Sequence, residues 1–422
     1  MSDQIKSVRG MPVILPKDIK KWQFVEETAR SLLQLYSYSE IRTPVVERSE
    51  LFQRTIGKET DIVAKEMYTF QDRKEQSLSL RPEATAGIVR AGIEEGLFYN
   101  QSQKFWSIGP MYRYERPQKG RYRQFHQINI EAFGFPGPDI DAEIILLTTR
   151  IWKALNLNSL KLEINSLGTP KSRHVHRKKL QDYFNSHKGD LDEDSLRRLD
   201  RNPMRILDSK NPDLQDIIES APKTIDFLDQ ESSEHFQALE AILQEHAIEY
   251  TLNARLVRGL DYYTRTVFEW TTDQLGAQAT VCGGGRYDEL ISELGGQATP
   301  AIGCAIGLER LIELVDLLDQ NQQNDPPKIY IVAVSAQAEG QGLILAEELR
   351  DTYPNFSIEM NLGGGSFKQQ FKRADKAGAD IALIIGEDEI ANNTVGIKSM
   401  QSGDQQKSVK RKDLLDRINQ FL

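Results

Sequence analysis

Cysteine is scarce in this chain of 422 residues, which contains only Cys282 and Cys304. The two do not form a Cys-x-x-Cys pair, which excludes the usual zinc and redox motifs. Both lie in glycine-rich, strand-like segments, so we expect small buried residues and no disulfide. Long apolar runs are also absent, which excludes a membrane-spanning helix. The first residues are polar and form no apolar signal region, so we expect a cytoplasmic protein.

An excess of positive charge is missing as well. Lys and Arg number 53 against 62 Asp and Glu, which gives a net charge of -9. This balance provides no general affinity for nucleic acid, because phosphate binding requires Lys and Arg. Local basic surfaces are compatible with it. The overall charge therefore does not decide between an enzyme that acts on RNA and one that acts on small molecules.

The length of the chain predicts two or three domains. Residues 1–320 mix strand and helix patterns, and the charged, leucine-rich stretch at about 171–250 predicts a helical insertion. The polar segment Asn321–Pro327 ends in two prolines and is typical of a linker. Residues 328–422 then alternate between strand and helix patterns, which predicts a small α/β domain.

Residues 98–135 predict a long β-hairpin with a polar turn at Pro117–Arg121. Because side chains alternate along a strand, the returning strand places several arginines, an aromatic ring and a carboxylate on one face. Such a face suits a nucleotide, with guanidinium groups for the phosphates and a ring for the base. The alternative is a solvated face of surface ion pairs, which leaves Phe125 unexplained. The residues concerned are Arg113, Glu115, Arg121, Arg123, Phe125, Gln127 and Glu131.

Two segments combine turn and helix signals. Leu80–Gly87 contains a proline that stiffens the turn, and Thr85 is placed to cap the helix that follows. Gly303–Leu311 is a small-residue strand that runs into a helix, with Arg310 in its first turn. An arginine at this position opposes the helix dipole, and an anion such as a polyphosphate would offset the cost. The alternatives are a plain strand-to-helix junction and a surface arginine.

Two further segments are rich in glycine or tyrosine. Arg258–Thr264 predicts a tight loop of hydrogen-bonding side chains. Cys282–Asp288 contains three consecutive glycines, which let the backbone approach a ligand or another backbone closely. Each segment taken alone could equally be a simple turn.

The order of these segments resembles the class II aminoacyl-tRNA synthetases. The strand Glu40–Glu47, interrupted by Pro44, resembles motif 1; the hairpin around Arg113 resembles motif 2; and Gly307–Arg310 resembles motif 3. Leu80–Ala86, Arg258–Tyr263 and Cys282–Asp288 are similar to signatures of histidyl-tRNA synthetases. The resemblance implies an α+β fold. An antiparallel-sheet catalytic domain with the helical insertion occupies residues 1–320, and an α/β anticodon-binding domain occupies residues 328–422.

The resemblance also implies an activity and partners. Members of the family are histidine–tRNA ligases, which activate L-histidine with ATP and transfer it to the 3′ end of tRNA(His). Mg²⁺ is expected on the phosphates of ATP and not at a metal site of the protein, and a homodimer is expected through the segment around Pro44. The alternative is a related regulatory subunit of histidine biosynthesis. Such subunits lack the C-terminal domain and much of the Arg258 segment, and both are present here.

Residue roles follow from the same resemblance. Arg113 and Arg258 match catalytic arginines that contact the reacting groups. Asn129 stands where the family commonly has glycine, and Cys304 where it commonly has a bulky residue; we expect both to lie beside the mapped contacts. The ATP contacts are Arg113 (α-phosphate), Glu115 (adenine amino group), Phe125 (adenine ring), and Arg121 and Arg310 (β- and γ-phosphates). The histidine contacts are Glu83, Thr85 and Gln127 (amino group), Arg113 and Arg258, Glu131 and Tyr263 (imidazole), and Tyr262 and Tyr287 (pocket walls).

Overall fold

The computed structural model describes residues 4–57, 60–207, 209, 211–276, 280–318, 326–400 and 405–418. The chain divides into two compact units, Met1–Asn321 and Gln322–Leu422. Of the expected linker, residues 321–325 lie outside the described residues. In the described ranges no helix is both long and apolar enough to cross a membrane.

The first unit is built on a large, mainly antiparallel sheet. Within the described residues this sheet has eight strands in the order β1-β5-β6-β11-β10-β9-β7-β8, and a second sheet has the order β2-β4-β3. Only the β1–β5 and β7–β8 pairings of the large sheet are parallel. The strands are β1 (Ser39–Glu40), β2 (Val46–Arg48), β3 (Thr69–Gln71), β4 (Ser77–Leu80), β5 (Gln103–Tyr112), β6 (Gln124–Phe133), β7 (Lys161–Ser166), β8 (Thr251–Leu252), β9 (Thr264–Thr271), β10 (Thr280–Arg286) and β11 (Ala301–Gly307).

Helices pack against this sheet in two separate hydrophobic clusters, and several helices lie in the segment between β7 and β8. The buried side chains of the first helix recur at helical spacing (Trp22, Val25, Ala29 and Leu33) and pack in the main hydrophobic core. The helices are α1 (Pro16–Leu35), α2 (Ser49–Thr55), α3 (Thr85–Glu94), α4 (Pro138–Ala154), α5 (Pro170–Ser186), α6 (Glu193–Arg201), α7 (Gln215–Glu219), α8 (Gln230–Glu245), α9 (Leu290–Glu293) and α10 (Leu308–Leu317). Helices α5–α8 lie between β7 and β8, where the sequence predicts the helical insertion.

The predicted strand Glu40–Glu47 is interrupted at Pro44 as expected, but the interruption is wider than the proline alone. Residues 41–45 are not strand, and the flanking β1 and β2 belong to different sheets. Proline has no N–H to donate to a ladder. The carbonyl and hydroxyl groups of Thr43 instead accept hydrogen bonds from the Arg81 guanidinium, at 3.0 and 3.1 Å. The chain therefore crosses from one sheet to the other at this point.

A buried arginine joins β10 to the start of α4. Arg286 is fully buried and donates from Nε to Asp141 Oδ1 at 2.9 Å. Its Nη2 donates to the carbonyl oxygens of Phe135 and Gly137, each at 2.8 Å. A buried charge requires such partners, because an unpaired one is strongly disfavoured. The network fixes the end of β10 and with it the backbone of Tyr287.

The second unit is a small α/β domain. Within its described residues the sheet order is β13-β12-β14-β15-β16, with parallel pairing as far as β14 and antiparallel pairing beyond it. A short helix after β14 is the element that the sequence pattern did not predict. The elements are β12 (Lys328–Ala333), α11 (Ala336–Thr352), β13 (Ser357–Met360), α12 (Phe367–Lys376), β14 (Ile381–Ile385), α13 (Glu387–Asn392), β15 (Thr394–Ser399), β16 (Lys407–Lys410) and α14 (Leu414–Ile418).

Candidate active site

A cavity with an empty volume of about 980 Å³, which includes space open to solvent, lies on the large sheet. Side-chain alternation along β6 creates it. Gln127, Asn129 and Glu131 point to the same face, and their partners on β11 are Gly307, Ala305 and Gly303. Small residues on β11 thus leave room above the polar side chains of β6. The predicted site residues that line this cavity are Glu83, Thr85, Arg113, Glu115, Arg121, Phe125, Gln127, Arg258, Tyr262, Tyr263, Tyr287 and Arg310.

Glu131 is buried behind the cavity wall and does not itself line the cavity; two hydroxyl groups of lining residues hold it. Thr85 Oγ1 donates to its Oε1 at 2.6 Å, and the Tyr287 hydroxyl donates to its Oε2. Burial raises the pKa of this carboxyl to about 8, although both hydroxyl groups favour the ionised form. A Cβ atom at Gly303 would lie 1.6 Å from Glu131 Oε2, so only glycine leaves space for the carboxylate. We call Glu131, Thr85 and Tyr287 the carboxylate clamp.

The start of α3 is organised differently from the sequence prediction. Thr85 does not cap the helix with its side chain, because its hydroxyl is used in the carboxylate clamp. The buried Glu83 carboxylate instead accepts the N–H groups of Thr85 and Ala86, at 2.7 and 2.9 Å. These are donors at a helix N-terminus, which a carboxylate satisfies well. Burial raises the pKa of Glu83, and these N–H groups oppose the shift.

The opposite side of the cavity is cationic. Four arginines line it within the described residues, and Arg113 lies 5.2 Å from the Phe125 ring centroid. Arg310 donates to the carbonyl groups of Gly120 at 3.1 Å and Thr280 at 2.5 Å. Burial, together with the charges of Arg121 and Arg113, lowers the pKa of Arg310. Like charges at close range favour an anionic ligand that would neutralise them.

Two buried polar atoms of β6 lack hydrogen-bond partners within the described residues. They are Gln127 Oε1 and Asn129 Nδ2. Most buried polar groups in proteins are paired, so two unpaired ones facing a cavity indicate a ligand that pairs with them. Gln127 Oε1 is an acceptor and suits an ammonium group.

The two unusual positions, Asn129 and Cys304, both line the cavity; that they lie beside the substrate contacts stays a prediction. Two other residues were missed. Thr280 lines the cavity, and Glu269 on β9 pairs with Arg258. Side-chain alternation along β9 could have shown from the sequence that Glu269 and Phe268 face opposite sides of the sheet. That signal does not identify a partner eleven residues away in the chain.

The sheet and its cavity define the catalytic domain of a class II aminoacyl-tRNA synthetase. Residues 10–311 match the family model of histidyl-tRNA synthetase, and residues 328–421 match the model of an anticodon-binding domain. The apo histidyl-tRNA synthetase of S. aureus is 35% identical in sequence, with a TM-score of 0.81 over 98% of this chain and 99% of that chain.

Two more distant structures share the fold. The histidyl-tRNA synthetase of Nostoc sp. PCC 7120 is 21% identical, with a TM-score of 0.66 over 99% of both chains. A Bacillus halodurans protein described as an ATP phosphoribosyltransferase regulatory subunit/histidyl-tRNA synthetase is 20% identical, with a TM-score of 0.64 over 88% of this chain and 97% of its own. The chain belongs to the histidyl-tRNA synthetase family and is a histidine–tRNA ligase. The resemblance and fold class predicted from the sequence are confirmed.

Gly303→Ala is expected to weaken histidine binding and leave ATP binding unchanged. The added Cβ must displace the Glu131 carboxylate, and loss of a charge-assisted hydrogen bond corresponds to roughly a 10- to 100-fold loss of affinity. Calorimetric titration with each ligand measures this. Gly307→Ala is the matched control, because its Cβ would meet no atom closer than 3.8 Å. Unchanged histidine affinity in Gly303→Ala would show that the carboxylate clamp does not bind this substrate.

Histidine affinity is expected to increase with pH up to about 8. The empty cavity favours the neutral acid of Glu131, whose pKa is about 8, whereas accepting the ring N–H requires the carboxylate. Below that pKa, binding must release the proton. The Kd should fall by up to about tenfold per pH unit between about 6.5, where free imidazole titrates, and 8. Glu131→Gln should show a flat profile in this range, and a flat profile in the unsubstituted protein would contradict the assignment.

Proposed function

We propose that the cavity binds L-histidine and ATP together and catalyses both steps of histidine–tRNA ligation. In the first step a carboxylate oxygen of histidine attacks the α-phosphorus of ATP. The bond to the β-phosphate breaks, and histidyl-adenylate and pyrophosphate form. The observation that carries the proposal is a buried carboxylate clamp and an arginine cluster within one cavity.

The carboxylate clamp is the proposed imidazole site. Glu131 accepts the ring N–H of histidine, which is a donor. Tyr263 contacts the other side of the ring; burial raises its pKa to about 12, so its hydroxyl remains protonated at neutral pH. Tyr262 and Tyr287, both buried, form the walls.

The proposed site for the substrate ammonium group lies beside the imidazole site. Glu83 provides negative charge, Thr85 a hydroxyl and Gln127 the unpaired carbonyl oxygen. Glu83 already accepts two backbone N–H groups. Its carboxylate therefore has a fixed orientation before the substrate arrives, which reduces the cost of binding.

The arginine side is the proposed ATP site. Phe125 stacks on adenine while Arg113 approaches the α-phosphate and the histidine carboxylate. Glu115, which pairs with Arg121, lies near the adenine amino group. Arg121 and Arg310 bind the β- and γ-phosphates. ATP is proposed to enter as its magnesium complex, with Mg²⁺ bound through the phosphates.

No side-chain base is required for activation, because the attacking carboxylate is already ionised. The barrier is lowered by alignment of the two reactants and by positive charge on the phosphoryl oxygens. Arg113 and Arg258 are the proposed catalytic residues, since both side chains are partly buried and line the cavity. A desolvated charge stabilises a developing negative charge more strongly than a hydrated one.

The second step requires tRNA(His), which we propose as the macromolecular partner. Its terminal adenosine hydroxyl attacks the adenylate carbonyl and displaces AMP. The C-terminal unit is the proposed anticodon reader, and the exposed Lys368 and Lys372 of α12 are available to phosphates. Arg373 is used differently: its Nη1 donates to the Gly364 carbonyl at 2.8 Å and so holds the preceding glycine loop. Because ribosomes use the product, we propose that the protein acts in the cytoplasm.

The regulatory-subunit alternative is the weaker one. The arginines mapped to catalysis line the cavity, and the anticodon-binding domain is present. Histidine-dependent exchange of pyrophosphate into ATP distinguishes the two functions. Exchange that requires histidine is expected, and binding of histidine without exchange would favour regulation.

Removal of residues 328–422 is expected to preserve exchange and greatly weaken tRNA charging. The proposed adenylate contacts all lie in the first compact unit, whereas the removed unit carries the proposed anticodon surface. The mass of the truncated protein is checked first, because the second unit could also support assembly. Undiminished charging by the truncated protein would show that this domain does not bind tRNA. Loss of exchange in an assembled protein would show that the boundary is misplaced.

We propose a homodimer through the region around Pro44. The expected apolar strand is not formed there, but β1 is an edge strand of the large sheet, and Pro44 lines a groove together with residues of β2, α2 and α3. Edge strands and grooves of this kind are commonly covered by a second chain. Sedimentation at low micromolar concentration is expected to give twice the chain mass. A stable monomer with full activity would contradict the proposal. The groove is lined by Pro44, Glu47, Arg48, Glu50, Leu51, Arg54, Arg90, Ile93, Glu94 and Leu294.

A further inference from the structure

Arg258 is held in the cavity wall by an acidic residue that the sequence motifs do not include. Its guanidinium pairs through Nη1 with Glu269 Oε1 on β9. Glu269 lies opposite Gly283 on β10, and a Cβ at Gly283 would be 2.6 Å from both Nη1 and Nη2 of Arg258. The guanidinium therefore lies against bare backbone, and a side chain at position 283 would displace it.

A second contact fixes the acidic residue. Thr280 Oγ1 donates to Glu269 Oε2 at 2.8 Å, so one oxygen of the carboxylate meets Arg258 and the other meets Thr280. The carbonyl oxygen of the same threonine accepts from Arg310 Nη1 at 2.5 Å. Thr280 thus connects Glu269, which pairs with Arg258, to Arg310. The contacts run from Arg258 through Glu269 and Thr280 to Arg310.

Charge and burial explain why Arg258 requires this partner. Burial lowers the pKa of Arg258, but attraction to Glu269 and to the tyrosines 263 and 262 outweighs it, and the net shift is upward. Its Nε is buried and has no hydrogen-bond partner among the described residues. A buried guanidinium with one strong ion pair has a defined orientation and retains donors for a ligand.

We propose that Glu269 is a positioning residue for adenylate formation, which holds the Arg258 guanidinium toward the α-phosphate, with Thr280 orienting the carboxylate. The inference rests on the proposed function and deepens it. Glu269 does not touch the substrates in this scheme. It acts through Arg258, so its removal changes the rate only where Arg258 is present.

The test is a double-mutant cycle in the full-length protein. Single-turnover formation of histidyl-adenylate is measured for the unsubstituted protein, Glu269→Gln, Arg258→Ala and the double variant. Glu269→Gln is expected to be about 100-fold slower, as for a displaced catalytic group, with Kd values for ATP and histidine changed by no more than about twofold. In the Arg258→Ala background the same substitution should change the rate by no more than about twofold.

Two results would overturn the inference. An equal loss in both backgrounds would mean that Glu269 acts independently of Arg258, for example as a ligand of the ATP-bound cation. A normal rate in Glu269→Gln would mean that the ion pair has no role in orientation. If the unsubstituted protein forms no adenylate, the proposed function itself is wrong. If it forms adenylate but the effects of the two substitutions are additive, only the positioning role of Glu269 is wrong.

The matched control is Glu163→Gln. Glu163 lies directly opposite Glu269 on β7, but its carboxylate accepts from Asn253 Nδ2 at 2.6 Å and does not line the cavity. Glu163→Gln should leave the rate unchanged.

If Glu269→Gln does not fold, Thr280→Val replaces it, because valine keeps the shape and the backbone carbonyl and removes only the hydroxyl donor. Thr280→Val should slow the reaction in the Arg258 background and not in Arg258→Ala; equal slowing in both would overturn the proposal.

Discussion

The buried Glu131 carboxylate imposes the constraint on which the site depends. A carboxylate removed from water is costly unless it has hydrogen-bond donors, and here Thr85 and Tyr287 provide them. Each donor needs its own support. Thr85 is fixed because Glu83 organises the start of α3, and Tyr287 follows Arg286, which is anchored to α4. The fold places these elements so that one carboxyl group is buried behind the cavity wall, between two hydroxyl groups.

Net charge is a poor guide to such a site. The chain carries an excess of negative charge, -9 in total, yet its main cavity is lined by four arginines within the described residues. Pairing with carboxylates reconciles the two facts. Arg258 pairs with Glu269, and Arg121 pairs with Glu115. The arginines keep fixed orientations in the absence of anions, and a polyphosphate finds donors already arranged, which is the condition for electrostatic catalysis.

The sequence predicted much of this arrangement, and the failures have physical causes. Period-two alternation correctly placed Phe125, Gln127 and Glu131 on one face of β6, because alternation is a local property of a strand. Thr85 was assigned to a helix cap because local patterns cannot show that Glu131 competes for its hydroxyl.

Long-range pairing accounts for the other failures. The strand around Pro44 was expected to be interrupted only at the proline, although residues 41–45 all lie outside the strands and the Thr43 carbonyl accepts from Arg81. Glu269 was missed because its importance depends on the register of β9 with β10, which no local pattern encodes.

The central claim is that the cavity selects histidine through a hydrogen bond to its ring N–H and not through shape alone. The most direct measurement compares kcat/KM in pyrophosphate exchange for histidine and for 2-thienylalanine, whose five-membered ring has a similar shape and no N–H. A site built to accept a hydrogen bond from the ring N–H should reject an analogue that lacks it by about 10⁴- to 10⁵-fold. Discrimination of only about 10²-fold, typical of an apolar pocket that reads size, would contradict the account.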